Sequence, residues 1–167
     1  MLNFYGRRCP RNIKENQLES LNDFKFFLDK NKIKKLKTKI KKFKTFNLEI
    51  GFGGGENIFA QSQKNNGDFF LGCDPYLGGS LNLKKQIKKC DLKNLFFTNL
   101  DFLELFKFLK GITFKKIFIL FPDPWPKKRH KKRRLINPDF VDLLKLITFD
   151  ETKVIVATDH KDYLNQI

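Results

Sequence analysis

The chain has 167 residues, 41% of them hydrophobic with 20 phenylalanines, enough for one core and short for two. A formal charge of +16 predicts a polyanionic partner, although the excess of Lys over Arg is also what an AT-rich coding bias would produce. No run of about eighteen uncharged apolar residues exists, which excludes a membrane-spanning helix, and Cys9, Cys73 and Cys90, odd in number and without CxxC spacing, exclude a disulfide frame and a zinc site.

The N-terminal MLNFYGRRCPRN has no apolar signal run, so the expected location is the cytoplasm. Residues 1–45 read as a basic arm followed by a helix. The arm, residues 1–18, is expected to make little core contact, and Leu21, Phe24, Phe27 and Leu28 fit a helical face between Leu18 and Phe43. The lysine run KIKKLKTKIKKFK reads as an exposed face, because no aromatic interleaving suggests base stacking.

Residues 46–167 alternate regularly. FNLEIGFG is a strand entering a glycine loop, ENIFAQSQKN a helix, DFFLGCDP a strand and SLNLKKQIKKC a helix. NLFFTNLD, KKIFILFPDP and TKVIVATD are three more strands, with FLELFKFLK and NPDFVDLLKLI as intervening helices. This alternation predicts an α/β fold of the Rossmann-like, doubly wound kind, with a mostly parallel sheet and helices on both faces. The strands end in Gly51, Asp74, Asp101, Asp123 and Asp159, at the edge where open parallel sheets bind ligands.

In LEIGFGGGE, Gly51, Gly53 and Gly55 occupy the first strand-to-helix turn, where glycine permits a sharp turn and close approach to a ligand. The third position of a dinucleotide fingerprint would fall on Glu56, which is too bulky for it. Glu49 precedes the loop and is expected to face the ligand, where a carboxylate suits an amine or sulfonium better than a pyrophosphate. Asp74 can accept from ribose hydroxyls and Asp101 from an adenine amine. These residues favour S-adenosylmethionine over NAD.

The segment FPDPWPKKRHKKRRL sets a proline-stiffened turn around Asp123 against a cationic strip. With EIGFGGGE, GCDPYLGGS, NPDF, ATDHKDY and the N-terminal FYGRR, it resembles the bacterial tRNA (guanine-N7)-methyltransferases over nearly the whole chain. The resemblance implies methyl transfer from S-adenosyl-L-methionine to N7 of a guanine in the tRNA variable loop, position 46. It implies that Glu49, Asp74, Asp101 and Asp123 line the cofactor, Asp123 being also catalytic. Lys127 and Asp159 would bind substrate, and the strip Arg129, His130, Lys131, Lys132, Arg133 and Arg134 would contact RNA. Position 74 is Asp where many relatives carry Glu.

Guanine N7 has a free lone pair, so no general base is needed and catalysis can be positioning plus a carboxylate that stabilises cationic character. Asp123 cannot accept from the N7/O6 edge, where both atoms are acceptors. Its partner is either a donor on the N1/N2 side of the base or the methionine amine. Trp125 can stack on a base or pack beneath the turn. Two rivals are an adenine amino-methyltransferase, whose turn would have a different proline order, and a non-catalytic RNA-binding relative. ATDHKDYLNQI reads as the start of a helix after strand five; the resemblance implies two further strands and one wall of the guanine pocket after it, so TKVIVATD is expected to be an open apolar edge without them.

Overall fold

The computed structural model describes Tyr5, Arg8, Cys9 and residues 13–167. Half of the expected N-terminal arm, residues 1–18, therefore lies outside the described residues, including Phe4, Gly6 and Arg7 of FYGRR. Five strands, β1 (Phe46–Ile50), β2 (Phe69–Cys73), β3 (Leu95–Thr98), β4 (Lys116–Leu120) and β5 (Lys153–Ala157), form one sheet in the order β3-β2-β1-β4-β5. Every pairing is parallel, with Leu48 opposite both Leu71 and Ile117. The chain thus winds outward from β1 in one direction, then returns to β4 on its other side. That reversal opens a crevice beyond the carboxyl ends of β1 and β4.

Helices flank the sheet: α1 (Glu15–Asn22), α2 (Leu36–Ile40), α3 (Glu56–Lys64), α4 (Leu77–Lys88), α5 (Phe102–Phe106), α6 (Pro138–Lys145) and α7 (Lys161–Leu164). Their apolar faces and the fully buried β2 share one core, rich in phenylalanine. Phe69 stacks on Phe96 at 5.5 Å, and Phe102 of α5 meets Phe140 of α6 at 5.1 Å. Asn137 caps α6 by accepting from the Phe140 amide, and Pro138 follows at its first position, where a missing amide hydrogen is harmless.

The single helix expected between Leu18 and Phe43 is not formed. It divides into α1, a 3-10 turn at Lys32–Lys35 and α2. Between them the chain runs beside β3: the Leu28 amide donates to the Phe97 carbonyl, and the Phe97 amide donates to Phe26. The spacing of Leu21, Phe24, Phe27 and Leu28 suits a helix, but pairing with an otherwise open strand edge satisfies the same backbone groups and buries Phe27 against Phe97. Helix α4 starts at Leu77, earlier than expected, because Gly78 and Gly79 wind into its first turn. The basic strip contains a 3-10 helix, Lys128–Arg133, that its composition did not announce. At the other margin β5 is an edge strand, with Val154 43% exposed.

Candidate active site

A cavity of about 900 Å³ opens at the carboxyl end of the sheet. Gly51 and Gly53, Asp74, Asp101 and Asp123 all line it, so the ends of four successive strands converge as their order predicts. Gly51 and Gly53 have φ of 76° and 52°, a region that side chains avoid, and a Cβ on either would meet nothing within 4 Å. The glycine turn therefore presents bare backbone to open space. Gly55, with φ of 86°, serves differently: it starts α3, and a Cβ there would strike Leu83.

Asp74 ties the turn together. One carboxylate oxygen accepts from the Gly53 amide and the other from the Tyr76 amide, each at 2.8 Å. Burial nevertheless raises its pKa above the usual carboxylate value. Each oxygen keeps a lone pair for a ligand hydroxyl. Asp101 is similarly engaged, capping α5 through the Glu104 amide and pairing with Arg8 at 2.9 Å. Burial also pushes the neighbouring Cys73 thiol well up, so this cysteine is an inert part of the wall.

Glu49 departs from expectation. It is not among the residues lining the cavity; it is 2% exposed and accepts from the Asn57 side chain at 2.7 Å. Burial, countered in part by that hydrogen bond, raises its pKa to about 7. Between about pH 4.5 and 7 the folded chain keeps a proton that the unfolded chain has released, so stability falls as pH rises through this window. The cumulative effect is on the order of 3 kcal/mol. Glu49→Gln is expected to flatten the decline of Tm across this window and to exceed wild type by roughly 5–10 °C at pH 8. Parallel pH profiles for the two proteins would refute the burial account.

The turn around Asp123 is held under backbone strain. Phe121 and Trp125, each followed by proline, have φ of 50° and 42°. Such values in bulky residues persist only where surroundings over-determine them. Asp123 is exposed at the cavity mouth. Trp125 is partly buried, edge-on to Tyr5 and to His130, with the Arg133 guanidinium 4.9 Å from its ring centroid. Of the two roles open to Trp125, packing is the one this arrangement favours. Burial, followed by nearby Arg133, Arg129 and Lys127, lowers the His130 pKa and favours the neutral ring.

The cationic strip is not uniform. Lys127, Lys128, Arg129 and Lys132 are exposed, and Lys132 and Arg133 line the cavity. Lys131 pairs with Asp162 at 2.7 Å. Arg134 is 2% exposed and directed inward, so the expected RNA contact through Arg134 is corrected: its guanidinium is consumed by protein partners. A charge pattern in sequence cannot distinguish an outward arginine from a buried one. Lys127 and Asp159, both exposed, are not among the cavity-lining residues.

Sequence reasoning missed the support that α4 gives the glycine turn. The Asn82 and Gln86 side chains donate to the Gly54 carbonyl at 2.8 and 3.1 Å. A Cβ at Gly79 would fall 1.9 Å from the Gly53 carbonyl oxygen. The paired glycines opening a helix were the available signal.

Comparisons agree with this geometry. The protein family described as "Putative methyltransferase" matches residues 44–167. A tRNA (guanine-N(7)-)-methyltransferase of Neorickettsia sennetsu is 39% identical, over 99% of this chain and 73% of that protein. One from Wolbachia pipientis wMel is 42% identical, over 72% of this chain and 54% of that protein. The chain thus spans about three quarters of the first relative and about half of the second. Among solved structures, an antibiotic-related methyltransferase is similar with TM-score 0.58 and 25% identity, covering 81% of this chain and 66% of that one. A 30S ribosomal A1408 methyltransferase from an uncultured bacterium shares the fold, with TM-score 0.58 and 20% identity over 81% of this chain and 63% of that one.

Proposed function

Because this chain belongs to the tRNA (guanine-N(7)-)-methyltransferase family, we propose that it transfers a methyl group from S-adenosylmethionine to N7 of a guanine in tRNA, at position 46 of the variable loop. The observation that carries the reading is the convergence of a bare glycine turn, three carboxylates from successive strand ends and the strained turn around Asp123 on one cavity.

The cavity suits the cofactor. Its glycine turn leaves open the space that side chains would fill, and Asp74 and Asp101 offer acceptors for ribose hydroxyls and an adenine amine. A pyrophosphate would meet carboxylates there. Bound in this cavity, S-adenosylmethionine would supply a methyl group on a positively charged sulfur. Asp123, at the mouth, holds a donor of the base or of the methionine amine and stabilises the positive charge as it passes to the guanine ring. No side chain need remove a proton, because the N7 lone pair is free. Lys127 and Asp159 position the substrate, while Arg129, Lys132 and Arg133 neutralise phosphates near the target.

The test is incubation of unmodified tRNA with methyl-labelled S-adenosylmethionine, followed by nucleoside analysis. Label is expected in N7-methylguanosine. Label in a methyladenosine, or none in any nucleoside, would reject the reading.

A further inference from the structure

We infer that Arg134 is a positioning residue that staples the turn around Asp123 to α7. The inference rests on the proposed role of Asp123, and goes beyond it to ask what holds that residue in place. Arg134 Nε donates to the Pro124 carbonyl at 2.8 Å, the carbonyl of the residue directly after Asp123. Its Nη1 donates to Gln166 Oε1 at 2.7 Å and its Nη2 to Asp162 Oδ2 at 2.5 Å. The guanidinium also lies 4.8 Å from the centroid of the Tyr163 ring. One planar, five-donor group thus joins the turn to Asp162 and Tyr163 of α7 and to Gln166 just beyond it.

Several contacts make this more than a stray buried charge. The Tyr163 hydroxyl accepts from the Ile136 amide at 2.9 Å, and Gln166 Nε2 donates to the Ile136 carbonyl at 2.9 Å. Asp162, already bridged to Lys131 and Arg134, has its pKa lowered to about 2 by these two hydrogen bonds. The buried guanidinium therefore keeps an ionised partner throughout the working pH range, as a desolvated charge requires. The left-handed Phe121 and Trp125 bracket Asp123, and a backbone in that region needs an external anchor to stay there. Arg134 is the anchor that reaches the carbonyl between Asp123 and Trp125. Lysine, with a point charge and no rigid fork, cannot meet Pro124, Asp162 and Gln166 together.

Trp125 is the single tryptophan of the chain and lies on the turn itself, so its fluorescence reports the turn directly. The experiment compares wild type, Arg134→Lys, Gln166→Ala and Arg129→Lys. For each, it measures single-turnover methyl transfer, KM for tRNA, the salt dependence of tRNA binding, and acrylamide quenching of Trp125. Arg134→Lys is expected to slow methyl transfer by roughly ten-fold or more, raise Trp125 quenching, and leave KM and the salt slope within about two-fold of wild type. Gln166→Ala, which leaves the charge in place, should show a smaller change of the same kind and keeps the proposal testable should Arg134→Lys fail to fold. Arg129→Lys, at an exposed position of the same strip, should leave the turn's quenching unchanged.

Unchanged Trp125 quenching in both Arg134→Lys and Gln166→Ala would overturn the staple. So would a reduced salt slope with normal turnover in Arg134→Lys, the signature of a phosphate contact. A wild-type chain that transfers no methyl group would sink the proposed function, whereas the quenching data would still judge the staple.

Discussion

Replacing Asp123 by Asn is expected to reduce methyl transfer by roughly 10²–10³-fold while leaving tRNA affinity and its salt dependence close to wild type. The side chain changes little in size, so the loss reports charge. Asp123 lies at the mouth of the cavity, between two residues whose backbone is held in the left-handed region. The backbone that carries its carboxylate is thereby held in place before any ligand arrives, and a charge presented from a preorganised backbone reorganises less on the way to the transition state. Phosphate contacts are assigned to the exposed cations that follow, so binding and chemistry should separate. Single-turnover rates with saturating tRNA, alongside a filter-binding titration across salt concentrations, give both quantities. A rate within three-fold of wild type would remove Asp123 from the reaction. A parallel loss of rate and affinity would instead make it part of the docking surface.

The second large effect is expected at Gly79, which makes no contact with the reacting atoms in the proposed mechanism. Its hydrogen faces the carbonyl of Gly53, and a methyl group there would sit 1.9 Å from that oxygen. Neither backbone can yield cheaply. Gly53 is held by the Asp74 carboxylate, while Gly79 is inside α4, whose Asn82 and Gln86 grip Gly54. Overpacking of this kind costs about 1–3 kcal/mol and occasionally more. Gly79→Ala should therefore lower Tm by roughly 3–10 °C. By pushing the glycine turn out of shape, it should also weaken binding of S-adenosylhomocysteine by at least ten-fold in calorimetry. Gly67→Ala is the matched control, since a Cβ there meets nothing within 4 Å and needs no unusual backbone. Equal behaviour of the two alanine variants would show that α4 does not set the position of the turn.

Much of this molecule is written in local sequence. The order of strands and helices after Phe46, the parallel sheet and the convergence of Gly51, Asp74, Asp101 and Asp123 follow from hydrophobic periodicity and from the rule that such sheets bind at their carboxyl ends. Proline and glycine are legible for the same reason: they act on their own backbone, so the tight turns at Gly51–Gly55 and at Phe121–Pro126 can be read without knowing their neighbours.

What the sequence left undecided depends on partners that only folding brings together. Phe26–Leu28 abandons a helical spacing because β3 offers it a backbone edge. Glu49 turns from the cavity because Asn57 and the surrounding core receive it, and burial there, unlike composition, sets its protonation. Among the five cations and one histidine from Arg129 to Arg134, only the fold decides that Lys131 is paired and Arg134 is buried while Arg129 and Lys132 remain exposed. Residue type determines what a side chain can donate, accept or bury. Which of those capacities is used is settled by the groups that folding brings within about 3 Å, from Asn57, 8 residues from Glu49, to Asp162, 31 residues from Lys131.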